Sequence, residues 1–226
     1  EASIYQTSLR QDVKWQQPAY KRAIENFNSL QKAPQSSAII LMPETAFTFV
    51  MQSQPNLTKL IDDVTLPHQS VIFGIPSTQN GRYYNSAFST SGNGSTLGTF
   101  HKKNLVPFGE FIPLKHLIPD FLGHFAPANT YSAGTKPRNL KTTAGNALPI
   151  ICYEVIFPHH ILHANREFSP DYIINLTNDG WFRGTTGAQQ HFAIARVRSV
   201  ETGLTQIRVA NSGISAFIDG YGRVKK

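Results

Sequence analysis

Four short apolar runs, "SAIILMPE", "SVIFGIPS", "ALPIICYE" and "DYIINLTND", constrain this chain more than any other feature. Each is rich in isoleucine and is bounded by proline or a polar cluster. Runs of this length and composition mark strands buried on both faces. The first is predicted to end at Glu44 and the second at Pro76. Buried strands need covering layers, so intervening helical segments indicate a single α/β or α+β domain.

Two helices are predicted between the strands. Residues 15–33 place Pro18 in a first turn and Tyr20, Ile24, Phe27 and Leu30 on one face. Residues 187–203 place Ala193, Val197, Val200 and Leu204 on a stripe expected to be buried, with Gly203 as the stop signal. A hairpin is expected around Gly92-Asn93-Gly94, and two closing strands flank "NSG", with a later turn at "DGYG". Residues 112–137 are proline-rich and apolar without periodicity, which suits a candidate lid loop.

Composition narrows the partners. Hydrophobic residues are 40% and charged residues 15%, with 15 Phe and 8 Tyr, enough to build a core and unlike a disordered chain. One cysteine excludes an internal disulfide and a multi-cysteine zinc site. The net charge of +7 favours anionic partners. Its lysines and arginines are scattered and no nucleic-acid motif accompanies them, so nucleic acid is not expected. The phospholipid head groups of a membrane surface are the other anionic class that the charge suits. No stretch reaches the roughly 18–20 apolar residues of a membrane span. The chain begins inside a strand-like segment and stops at "GYGRVKK", so residues 1–226 are expected to be one domain cut from a longer protein.

Three reactive groups fall at expected strand ends: Glu44 in "LMPETAF", Lys102 in "FHKKNLVPFGEF" and Cys152 in "IICYE". Taken singly, Cys152 suits core packing, Glu44 a helix start and Lys102 the solvent. Taken together they suit acyl transfer. A thiol near pKa 8.5 is only a few per cent thiolate at neutral pH. A carboxylate that takes its proton and an ammonium that stabilises the developing oxyanion supply what it lacks. The backbone N–H of Tyr153 is the expected second oxyanion donor, and Glu110 is placed to hold Lys102 or handle a proton. His159, His160 and His163 have helical spacing but no neighbouring carboxylate or cysteine ligand pattern, so they are expected on a surface helix and not around a metal.

The order Glu44, Lys102, Cys152 resembles the Glu-Lys-Cys triad of the nitrilase (carbon–nitrogen hydrolase) superfamily. Within it, "KKNLVPFGEFIPL", "ICYEVIFP", "NLTNDGWF", "QHFAIARVRSVETG" and "ANSGISAFIDGYG" are similar to the apolipoprotein N-acyltransferase family. The resemblance implies an α+β, four-layer α-β-β-α sandwich. It implies transfer of a fatty acyl chain from a phospholipid, through a cysteine thioester, to the N-terminal amine of a diacylglyceryl-cysteine apolipoprotein, without cofactor or metal. Glu44 would be the base, Lys102 the oxyanion stabiliser and Cys152 the nucleophile. Glu110 and Glu154 match further active-site glutamates, and Tyr153 and Trp181 match pocket residues. The same resemblance implies a bacterial inner-membrane enzyme whose catalytic domain faces the periplasm. It also implies that flanking membrane helices and a C-terminal strand region lie outside this sequence. The alternative within the superfamily is a soluble amidase that gives the acyl group to water.

Overall fold

The computed structural model describes residues 1–8, 21, 34–54, 56–113, 130–182 and 185–225. The predicted helix at 15–33, residue 21 apart, and most of the candidate lid, 114–129, lie outside the described residues.

Two five-stranded sheets form the framework. The first runs β1 (Ala2–Ile4), β2 (Ile39–Leu41), β3 (Ser70–Gln79), β4 (Arg82–Ser91), β5 (Thr96–His101), in that order. Its first three strands are parallel and the remainder antiparallel. The second has the order β10-β9-β8-β7-β6, from β6 (Leu140–Thr142), β7 (Gly145–Ile151), β8 (Tyr172–Thr177), β9 (Gln206–Ala210) and β10 (Ala216–Ile218). Its three central strands are parallel and both edge strands antiparallel.

Side-chain alternation sorts the isoleucine-rich runs into three cores. Ile39, Leu41 and Ile72 of the first sheet meet Ile151, Ile174, Leu176 and Val209 of the second in the central layer. The alternate residues Ile40, Met42, Val71 and Phe73 pack outward against Leu57 and Ile61 of α1 (Leu57–Val64). On the opposite side Leu148, Ile150 and Ile173 pack against Ile161 and Ala164 of α2 (Pro158–Phe168) and Ala195 of α3 (Gly187–Thr202). Helix, sheet, sheet and helix are therefore stacked as the four-layer α+β sandwich expected from the sequence.

The hairpin and the closing strands form where predicted. β4 pairs antiparallel with β5 around residues 92–95, and β9 with β10 around 211–215. Pro76 does not end its strand, because β3 continues to Gln79. β2 covers β3 only through Ile72, so at Pro76 one flank of β3 has no ladder to lose.

The stripe on α3 is a larger correction. The buried residues there are His191, Ala195, Arg198 and Ser199, whereas Ala193, Val197 and Val200 face outward, Val200 at 55% exposure. α3 lies over the two 3-10 turns Cys152–Ile156 and Asp179–Phe182. Polar groups in and beside those turns need polar partners, and that requirement overrides the apolar periodicity.

Candidate active site

The strand ends converge on one place. Glu44 follows β2, Lys102 follows β5, Cys152 follows β7 and Asp179 stands just beyond β8. The carboxyl ends of strands are where α/β folds build their sites. Backbone strain marks the same loops. Thr45, Phe108 and Cys152 have φ of 47°, 61° and 48°, a region that non-glycine residues seldom occupy and that clusters at functional sites.

Glu44 is held by close backbone packing. The turn at 43–45 crosses β3 at Gly74, whose N–H donates to the Pro43 carbonyl at 3.1 Å. A Cβ on Gly74 would lie 2.6 Å from Glu44 Cα, so glycine is required there.

Lys102 is 1% exposed, between Glu44 at 5% and Glu110 at 9%. Its ammonium donates to Glu44 Oε1 at 3.1 Å and to Glu110 Oε1 at 3.0 Å. Asn85, absent from the sequence reading, ties the two acids together: its Nδ2 donates to Glu44 Oε1 at 2.8 Å and Glu110 Oε1 at 2.7 Å. Glu110 Oε2 in turn accepts the Val106 N–H at 2.8 Å. Burial pulls the Lys102 pKa down, but Glu44, Glu110 and Cys152 outweigh it and hold the ammonium well above its usual range. The lysine is a permanent cation at physiological pH.

Cys152 is 7% exposed at the end of β7. Burial and then the Glu44 carboxylate push its thiol up to about 12, against opposing effects from Lys102, the Thr177 side chain and the Asn178 backbone. The resting sulfur is therefore a neutral thiol in the field of the Glu44 carboxylate and the Lys102 ammonium. Tyr131 shares this field: burial, Glu110 and Glu44 push its phenol up to about 12, while Lys102 opposes them. Nothing in the local sequence around Tyr131 signalled this.

Glu154 serves a different purpose from the Glu44–Lys102–Glu110 cluster. It is fully buried, pairs with Arg138 at 2.7 Å, and accepts the N–H groups of Lys103, Asn104 and Ile151. One carboxylate thus pins both the loop after Lys102 and the residue before Cys152. Tyr153 is half-buried with its ring edge-on to Phe157, and Trp181 is 67% exposed. Behind Cys152 lies a second buried network that sequence reasoning missed. His191 faces Asp179 and the Cys152 carbonyl, and Arg208 pairs with Asp179 at 2.8 Å. The signal available for it was three polar residues inside otherwise apolar segments.

The described residues contain no group of three potential ligands placed for a metal ion, and His159, His160 and His163 lie along α2. No described helix is long and apolar enough to cross a membrane.

The carbon–nitrogen hydrolase family model matches residues 2–226. The chain belongs to the carbon–nitrogen hydrolase family. Among curated relatives it is 36% identical to an apolipoprotein N-acyltransferase of Rhizobium rhizogenes, over 98% of this chain and 44% of that protein. It is 37% identical to the namesake enzyme of Brucella melitensis, again over 98% of this chain and 44% of the relative. The chain thus spans less than half the length of these relatives. Among solved structures, a nitrilase-superfamily amidase of Nesterenkonia superposes with a TM-score of 0.72 at 14% identity, over 100% of this chain and 84% of the other. A carbon–nitrogen hydrolase from Helicobacter pylori gives 0.73 at 12% identity, with the same coverage. These likenesses establish the family's sandwich for this chain.

Proposed function

We propose that this domain transfers a fatty acyl chain from a phospholipid to the N-terminal amine of a diacylglyceryl-cysteine apolipoprotein, through a thioester on Cys152. The observation that carries the reading is the buried Glu44–Lys102–Glu110 cluster near the one thiol of a chain that is 36–37% identical to curated relatives named apolipoprotein N-acyltransferase.

The chemistry follows from the charges. Glu44 takes the thiol proton as Sγ attacks the phospholipid ester carbonyl. The C–S bond forms, the C–O bond breaks, and the lysophospholipid alkoxide leaves with the proton from Glu44. The apolipoprotein amine then attacks the thioester, N–C forms, C–S breaks, and the amine proton returns to sulfur through Glu44. Two of the three Lys102 N–H groups engage Glu44 and Glu110 among the described residues, and the third serves the oxyanion. The Tyr153 backbone N–H is the second donor. Glu110 fixes Lys102, Glu154 fixes the loops, and Tyr153 and Trp181 border the substrate pocket. The scheme calls for no cofactor or metal.

The proposed location is the bacterial inner membrane, on its periplasmic side, and the +7 charge, which favours anionic headgroups, supports a membrane surface. The 112–137 segment would act as the lid over the acyl chain. The amidase alternative has less support, because the curated relatives described above carry the acyltransferase name.

The test supplies the full-length gene product with phospholipid carrying a labelled acyl chain and with a diacylglyceryl-cysteine peptide. The expected product is the N-acylated peptide. Free fatty acid at the same rate with or without the peptide would instead identify a hydrolase.

A further inference from the structure

A hollow of about 460 Å³ opens beside α2, on the far side of the Glu154 carboxylate from the thiol loop. Its volume lies in the roughly 300–1,000 Å³ range of small-molecule sites. Lys103, Asn104, Arg138, His160, His163 and Glu167 are among its lining residues. We propose that this hollow is a binding site for a phosphate group, separate from the acyl-transfer centre. The phosphate comes either from a lipid headgroup or from free phosphate.

The donors are arranged for an oxyanion. Arg138 is 3% exposed, and its guanidinium is fixed by Glu154 at 2.7 Å, Asn104 Oδ1 at 2.9 Å and the Pro149 carbonyl at 3.2 Å. It forms a rigid wall of the hollow whose charge is partly balanced by Glu154. Because Asn104 spends its Oδ1 on Arg138, its amide NH2 remains a donor. Lys103 has no carboxylate partner among the described residues. Glu167 is the one acid on the open wall and is itself paired with His163 at 3.2 Å. An incoming anion therefore meets one competing carboxylate and several donors.

The field in the hollow has the matching sign. The His160 pKa is lowered by burial and then by the positive neighbours His159, Arg138 and Lys103, with Glu154 only partly opposing them. The cationic neighbours of His160, only partly balanced by Glu154, favour an anion, and a bound dianion raises the His160 pKa. Binding also reaches the chemistry. Arg138 and the Lys103 and Asn104 N–H groups share the Glu154 carboxylate with Ile151, the residue before Cys152.

The test follows the His160 ring signals of the full-length protein by NMR. Inorganic phosphate and glycerophosphoethanolamine are titrated separately at constant ionic strength. The site predicts a saturable shift and a rise in the His160 pKa with at least one of the two. In Lys103→Gln the apparent affinity falls about tenfold, the effect of losing one charge-assisted contact. Tighter binding of glycerophosphoethanolamine, abolished as a preference by Glu167→Gln, identifies the headgroup as the source, with Glu167 taking its ammonium. Tighter binding of inorganic phosphate identifies the free anion. A shift that never saturates, matches that of chloride, or is unchanged in Lys103→Gln overturns the site. None of these readouts depends on Cys152, so the acyl-transfer reading stands or falls separately.

Discussion

His191 Nε2 lies 3.2 Å from the carbonyl oxygen of Cys152, and Nδ1 of the same ring lies 2.8 Å from Asp179 Oδ1. The strained backbone of Cys152, at φ 48°, is therefore braced at its carbonyl by the His191 side chain. His191→Gln keeps a donor for that carbonyl and should retain most of the acylation rate. His191→Leu removes the donor and should slow acylation about tenfold or more, as misplacement of a reacting group by a fraction of an ångström does. Single-turnover acylation with circular dichroism as a fold control checks both.

Lys102 should matter to the rate far more than to substrate affinity. Lys102→Met removes the proposed oxyanion donor and leaves Glu44 and Glu110 without their shared cation, so kcat should fall about 10²–10³-fold with KM little changed. Steady-state kinetics against phospholipid concentration reads both parameters.

Gly74→Ala carries no functional group yet should injure the site. The new methyl would press on the backbone of Pro43, Glu44 and Thr45 at 2.6–2.7 Å, and none of those atoms is a flexible side-chain end. A stability loss of about 1–3 kcal/mol is expected from overpacking. A lowered rate should accompany it, because Glu44 rides on the displaced turn. Denaturant melts and acylation kinetics on the same variant test the pair.

Asp179 links the second network to acid stability. Burial pushes its pKa up, but the hydrogen bond from His191 and the charge of Arg208 outweigh burial and hold it below the usual carboxylate value. A depressed folded pKa contributes stability that is present above the unfolded value, near 3.9, and is lost as pH falls through the folded one. Asp179→Asn should therefore cost about 3 kcal/mol at neutral pH, since it strands the buried Arg208. The gap between variant and wild type should shrink as pH drops below about 4. Urea unfolding at the two pH values measures the difference.

The sequence exposed much of this plan because strand cores and reactive strand ends are local signals. Ile39 to Glu44 announces both a buried strand and the acid that follows it. The same holds for Pro149 to Cys152. What stayed hidden depends on contacts between distant segments. Asn85 is an ordinary strand residue until folding brings Glu44 and Glu110 to its amide across 41 and 25 positions. The α3 face was misjudged for a related reason. Ala193, Val197 and Val200 satisfy apolar periodicity, yet His191 and Arg198 occupy the inward positions. Glu154 matched an active-site glutamate in sequence, but its carboxylate is committed to Arg138 and three backbone N–H groups. Sequence alone gives no direction for a side chain two residues beyond Cys152.

The central claim is that acyl chains pass through the Cys152 sulfur. Intact mass spectrometry of the full-length protein after incubation with phospholipid, in the absence of any acceptor peptide, tests it most directly. The account predicts a mass gain of one acyl chain, discharged by hydroxylamine and missing in Cys152→Ala. An acyl adduct of equal occupancy in Cys152→Ala, or N-acylated peptide formed by that variant at the wild-type rate, would contradict it.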